Sequence, residues 1–256
     1  MKNTLTTLRL KGKVKSLTET DFAAETINGE TQKSDILGKK IFVFNDKGNK
    51  VESTEYQNGG LVFKTSYKYA DKENKMEWNR CHADGGLHQK GIFNYDEIGN
   101  IIEDIFYNSN GVVGKFTHVY DDNGNKIEEN YYPFGDVLSF KNTYKYDYKG
   151  NIIERIHNDL ESEGSIDDWK ETYKYDDKRE MIEWNHDDLD GGWDKHIYKY
   201  IYDETGNWIK QTAFDEFENG IPQIITEREI EYYDEPGQPN PCIAPINATV
   251  PTTKPK

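Results

Sequence analysis

A chain of 256 residues with 34% hydrophobic, 31% charged and 13% aromatic residues has too few aliphatics for a thick conventional core, yet too many aromatics for disorder. With 18 Tyr among them, the buried surface is expected to be aromatic and half-exposed. The formal net charge of −15 argues against nucleic acid or an anionic membrane as partner, because phosphate contacts need clustered Lys and Arg, and it favours a basic protein or a neutral ligand.

The first residues, MKNTLTTLRLKGKVKS, contain no apolar h-region, and no run of about 18 apolar residues occurs anywhere. As it stands the chain is expected to be soluble and cytoplasmic, without membrane insertion, or exported if a signal peptide has been removed. Residues 1–38 are expected to form divergent N-terminal strands of the same sheet as the repeats that follow. Cys81 and Cys242 are far apart and in no metal-ligand spacing, so a reduced pair is expected.

From residue 39 the chain repeats itself. An aromatic residue recurs at Phe44, Tyr69, Tyr95, Tyr120, Tyr146, Tyr175 and Tyr202, at steps of 25 to 29 residues. Counting each as position zero, position +1 is Asp in five of seven copies and +4 is Gly in five, with Glu73 and Arg179 as exceptions. Position +5 is Asn in six copies, +7 is always aliphatic or Met, and +8 is Glu in six copies. The unit therefore reads Tyr-Asp-x-x-Gly-Asn-x-Ile-Glu.

This is hairpin chemistry. Asp at the head of a turn accepts bonds from backbone N–H groups a few residues on, and Gly takes a positive φ that other residues resist. A four-residue Asp-x-x-Gly loop would set the Tyr opposite the +5 Asn and the −2 aromatic opposite the +7 aliphatic, collecting all the rings and Ile side chains on one face and the +8 Glu on the other. Second turns at 57–60 (QNGG), 108–111 (NSNG) and 133–136 (PFGD) close each unit. The fold class expected is all-β: a long antiparallel hairpin meander over 39–234, forming a curled, spiral or barrel-like sheet, since twisted open sheets seldom exceed about ten strands. Residues 235–256 are Pro-rich, lack the pattern and read as a flexible tail.

The Tyr-Asp-x-x-Gly-Asn core at 95–100, 120–125, 146–151 and 202–207 resembles the YD repeat of the bacterial RHS and teneurin families. The resemblance covers most of 40–234. It implies a β-sheet shell, which in large members encloses a toxin domain, and a use in ligand or glycan recognition. This chain is too short for a full cocoon and shows no toxin cargo or terminal core motif.

Two stretches, KMEWNRCHADGG at 75–86 and EMIEWNHDDLDGG at 180–192, nearly duplicate one another because each is a +8 Glu segment of the same unit, four copies apart. A sheet winding through about four hairpins per revolution would stack Trp78 and Trp184 on neighbouring turns.

The Glu column (Glu52, Glu77, Glu103, Glu128, Glu154, Glu183) reads as a solvated face rather than a metal site, because alternate strands stand about 9–10 Å apart. The segment 186–196 gathers Asp188, Asp190 and Asp194 as calcium candidates, though the EF-hand pattern fails; otherwise no cofactor is expected. Zinc at His186 and His196 lacks a third ligand. Many acids but no selected pair, and no nucleophile elbow, phosphate loop or Cys–His signature, point to a protein that is not an enzyme. Trp78, Trp169, Trp184, Trp193 and Trp208 are the ligand-binding candidates, since flat rings with polar tips suit sugar faces and protein hot spots and otherwise pack the sheet.

The expected function is a non-enzymatic repeat module presenting an aromatic and acidic surface to a protein partner, which the net charge suggests is basic. The alternatives are a carbohydrate-binding protein using the Trp-rich units at 169–208, and an immunity or chaperone-like factor sheathing a basic toxin.

Overall fold

Sixteen antiparallel strands follow one another in chain order and the last pairs with the first, closing a barrel. The computed structural model describes residues 4–70, 75–133, 135–160, 168–188, 191–216 and 220–233. The tail expected at 235–256, Cys242 and Asp190 lie outside the described residues. A short helix, α1 (Thr4–Thr7), precedes β1 (Val14–Ile27) and β2 (Glu30–Phe44). The wall continues through β3 (Lys50–Gln57), β4 (Gly60–Tyr69), β5 (Lys75–His82), β6 (Leu87–Tyr95), β7 (Ile101–Asn108) and β8 (Gly111–Tyr120). It is completed by β9 (Lys126–Tyr132), β10 (Phe140–Tyr146), β11 (Ile152–Asp159), β12 (Trp169–Tyr175), β13 (Met181–Asp187), β14 (Trp193–Tyr202), β15 (Trp208–Asp215) and β16 (Ile221–Tyr232). The hairpin meander is thus realised as a closed ring, not a spiral.

The Tyr-Asp turns differ from expectation in a way that changes every face assignment. At Asp96 the backbone N–H donates to Asn100 O at 3.0 Å and Gly99 N–H returns to Asp96 O at 3.2 Å, leaving a loop of three residues with Gly99 at φ 95°. Such a loop is a type I turn ended by a left-handed residue. The Asp96 carboxylate accepts from the N–H groups of Ile98 and Asn100, two and four residues on. With this loop Tyr95 faces Ile101, at +6, and a bulge then pairs Asn94 with Glu103, leaving Ile102 as the extra residue. All seven copies repeat the bulge. The +7 aliphatics therefore do not join the Tyr face, and Ile102, Ile127 and Ile153 are exposed. The −2 residue faces +9 instead, as Tyr173 faces Trp184.

The +8 Glu does lie opposite the Tyr set. Glu77, Glu154 and Glu183 each bond the −1 Lys of their own hairpin (Lys68, Lys145, Lys174) at 2.7–2.8 Å. A second Lys from the following strand, Lys90 or Lys170, completes the pairing for Glu77 and Glu154. This outer wall is a ladder of alternating charges.

Residues 4–13 cross the end of the barrel where the Tyr-Asp turns lie. Leu5 N–H donates to Gly48 O, Arg9 Nη2 to Asn151 Oδ1 at 3.0 Å, and Lys11 N–H to Asn207 Oδ1 at 2.7 Å, so one short segment touches turns of the first, fifth and seventh units. Only a path across the mouth of the ring reaches all three. Leu5 and Leu10 pack with Val14, Leu17 and Phe44, flanked by Phe42, Ile230 and Tyr232, to make the core at the seam of β16, β1 and β2. Burying each such side chain contributes about 1.5–3 kcal/mol. At the far end β1 and β2 pair onward to Ile27 and Glu30, past the last contact of β1 with β16 at Ala23, so this hairpin projects as a ribbon.

Candidate functional site

Because the N-terminal segment rests on the Tyr face, that face is the lumen. Arg9 lies 5.5 Å from the Tyr175 ring centroid, and Phe42, Phe44 and Tyr232 meet the Leu cluster. Most luminal side chains are half-buried rather than buried, as in wide barrels that hold water.

Two kinds of contact line this interior. The first is an unbroken arc of ten rings running Trp78, Phe106, Phe116, Tyr131, Phe140, His157, Trp169, His186, Trp184 and His196, with centroids 4.7–6.0 Å apart. Gly91 makes room in it, since a Cβ there would overlap the Trp78 indole. All six His of the sequence make ring contacts on this wall, the remaining three being His82, His88 and His118.

The second is a polar network along the +9 column. His118 Nε2 lies 3.1 Å from Asp104 Oδ2, and Glu129 accepts from Tyr144 at 3.2 Å and Asn142 at 3.1 Å while bonding Lys126. Burial opposes ionisation of Glu129, yet Lys126 and Asn142 outweigh it and hold the carboxyl below the usual range. Burial, with Glu129 next, pushes the Tyr144 phenol up. Farther round, Glu171 accepts from the Trp184 indole at 3.2 Å and faces Arg155, which lies over Trp169. These carboxylates are paired groups suited to holding side chains in place and to meeting donors.

The five Trp do not form one patch. Trp169 stacks on His157 and Trp184 on His196, both within the arc. Trp78 stands on β5 and Trp184 on β13, eight strands apart in a ring of sixteen, so they oppose each other across the lumen instead of stacking on neighbouring turns. Trp208 sits nearer the Tyr-Asp end under the Arg228 guanidinium, which pairs with Glu19. Trp193 is exposed at the other end.

Of the calcium candidates, Asp188 bonds His186 Nε2 at 2.9 Å, and Asp194 stands opposite His186 across β13 and β14. Among the described residues no three His, Cys, Asp or Glu side chains gather as a metal group. Cys81 is a free thiol.

Sequence reasoning singled out Trp78 and Trp184 but passed over the rest of their +9 column, Ser53, Asp104, Glu129, Arg155 and Gln211. The signal was available: a column that varies in charge and shape beside a near-constant +8 Glu marks the face where the repeat is free to specialise. It also missed the segment 4–13, which has no repeat character.

No family model and no curated protein matches the chain. Among solved structures the fold is similar to a porin-like protein from Bacteroides uniformis, with a TM-score of 0.58 at 9% identity over 85% of this chain and 96% of that one. Chains of the Photorhabdus luminescens Tc holotoxin pore and of TcdB2–TccC3 align at TM-scores of 0.34 and 0.36, both at 12% identity, over 71% and 78% of this chain. This chain spans 13% and 14% of those two. The first likeness establishes the β-barrel fold.

Proposed function

We propose that the protein is a non-enzymatic β-barrel module of the YD-repeat type that binds a basic polypeptide partner at the mouth of its lumen. The observation that carries this is that the rim already holds a stretch of polypeptide containing Arg9 and Lys11, through side-chain amides of Asn151 and Asn207. The net charge of −15 attracts such a partner over distance. The outer ladder of Lys and Glu is the opposite of the apolar band a transmembrane barrel turns to lipid, so membrane insertion is not part of this reading.

A second reading, carbohydrate binding, is favoured by one observation: the ring arc carries Trp169 and Trp184 beside Glu171 and Arg155, a set of flat faces and hydrogen-bonding groups suited to sugars.

Immobilised protein exposed to basic, neutral and acidic polypeptides at low and high salt separates the two, with an oligosaccharide array run alongside. Retention of basic chains at low salt and their loss at high salt is the expected result. Salt-independent glycan binding abolished by Trp184→Ala would replace the first reading with the second. Failure of any basic chain to bind at low salt would sink the first.

A further inference from the structure

Between the N-terminal segment and the ring wall lies a recess of about 550 Å³, floored by the zero-position rings Tyr69, Tyr95, Tyr120 and Tyr146 and roofed by Thr4 and Thr7. Its volume falls in the range of small-ligand sites. We propose that this recess binds a guanidinium group, as carried by an arginine side chain of the polypeptide partner, and the inference rests on the partner reading above.

In three of the units with Asp at +1, the +5 Asn donates its Nδ2 to that Asp, at 2.9 Å for Asn100, 2.9 Å for Asn125 and 2.7 Å for Asn151, while Asn207 Nδ2 donates to Lys11 O and the Tyr232 hydroxyl. The amide oxygen Oδ1 is left to accept. At Asn151 it takes Arg9 Nη2 and Arg179 Nε, and at Asn207 it takes the Lys11 N–H. At Asn100 and Asn125, which line the recess, Oδ1 accepts from no described residue. The same oxygen that the chain fills with its own donors elsewhere on the rim is open in these two repeats.

Arg9 shows how a guanidinium sits there. It donates to the Asn of one unit and lies over the Tyr of the next, Tyr175. Tyr120 stands in that relation to Asn100, and Tyr146 to Asn125. Both phenols are anchored through their hydroxyls to backbone carbonyls at 2.7–2.8 Å, so the rings are fixed platforms for a cation. The turn carboxylates add negative potential: the Asn125 side chain and N–H hold Asp121 below the usual carboxylate range. Lys126, also on the wall, is spoken for by Glu129 and lies over Tyr144.

The opposite side offers a donor. Asn49 is 4% exposed and its Nδ2 has no partner. The cause is local: its unit has Asn45 in place of Asp, and Asn45 Oδ1 already accepts from Lys47 and Asn49 N–H. A backbone carbonyl of a bound peptide satisfies this donor, while the planar guanidinium can donate to the Asn125 oxygen and lie over Tyr146 at once, as Arg9 does with Asn151 and Tyr175, in a way a compact ammonium does not.

The test is calorimetric titration of the full chain with N-acetylarginine methylamide, and in parallel with the neutral citrulline analogue and the lysine analogue. Saturable binding of the arginine probe is expected, with each analogue weaker by about tenfold or more. Asn125→Ala should abolish the difference, its folding checked by melting. Thr7→Arg, which places a guanidinium of the chain's own in the recess, should block the probe and needs no loss of wall side chains. Absence of saturable arginine binding, or equal binding of the citrulline probe, overturns the assignment. Salt-sensitive retention of basic polypeptides without arginine-probe binding would overturn the recess assignment alone and leave the partner reading standing.

Discussion

The Tyr120 hydroxyl donates to the Ile101 carbonyl at 2.8 Å, from one repeat to the residue just before the bulge of the repeat before it. Tyr69 does the same to Lys50 and Tyr146 to Lys126. The bulge turns a carbonyl out of the strand ladder, and the next Tyr satisfies it. Tyr rather than Phe at 69, 120 and 146 therefore serves the preceding bulge, whereas at Met181 the hydroxyl comes from Tyr200, two residues before the position-zero Tyr202. Tyr120→Phe is expected to cost about 1 kcal/mol in urea unfolding, the value of one such bond with its acceptor left partly exposed. A change below the error of the measurement would show that water replaces the hydroxyl without loss.

Asn45 is a second place where the repeat and its exceptions make a quantitative claim. Asn45→Asp retains the acceptor for Lys47 and Asn49 N–H and adds a second oxygen for the orphaned Asn49 Nδ2. Stability should rise by about 1 kcal/mol, or about 2–4 °C in melting temperature for a domain of this size. An unchanged melting temperature would mean that Asn49 finds its partner elsewhere.

Gly91 is held small by Trp78. A methyl group at 91 collides with the indole, so Gly91→Ala must swing Trp78 out of the ring arc. The expected cost is about 1–3 kcal/mol, with an altered Trp fluorescence spectrum. Adding Trp78→Ala to Gly91→Ala should restore part of the loss, and additive costs in the double variant would refute the collision.

The outer ladder predicts an acid limb. Lys68, followed by Lys90 and Asn79, holds the Glu77 carboxyl down to about 2 from an ordinary 4.5. A depressed carboxylate stabilises the fold above its unfolded value, and that contribution disappears as pH falls from 4.5 toward about 2. Melting temperature followed through this window should fall, and Glu77→Gln should flatten the slope. High salt should shrink the effect, because the pair is at the surface.

How much of this was legible beforehand depends on the range of the information. The Asp, Gly and Asn of each turn act within five residues, so the hairpins and their spacing were readable from letters alone. The bulge was not. Position +7 is apolar, as an inward residue would be, and only the register shows that a three-residue loop followed by an extra residue carries it outward. Ring closure is a sum over sixteen strands with no local mark, which is why Trp78 and Trp184 were expected to stack and instead face each other. The recess was illegible for a related reason: its walls are contributed by units up to a hundred residues apart, and its roof by a segment outside the repeat.

Closure of the ring also means that repeat number here plays a different part from repeat number in a solenoid. In an open stack an added unit lengthens the molecule, whereas in this ring it must enlarge the circumference, since barrel diameter grows roughly in proportion to strand count. Each Tyr-Asp unit brings two strands, so the bore is set in steps of one eighth of the present wall. Gain or loss of a single hairpin by duplication or deletion would change the gauge of the lumen while leaving every turn, bulge and Tyr–carbonyl bond as it is.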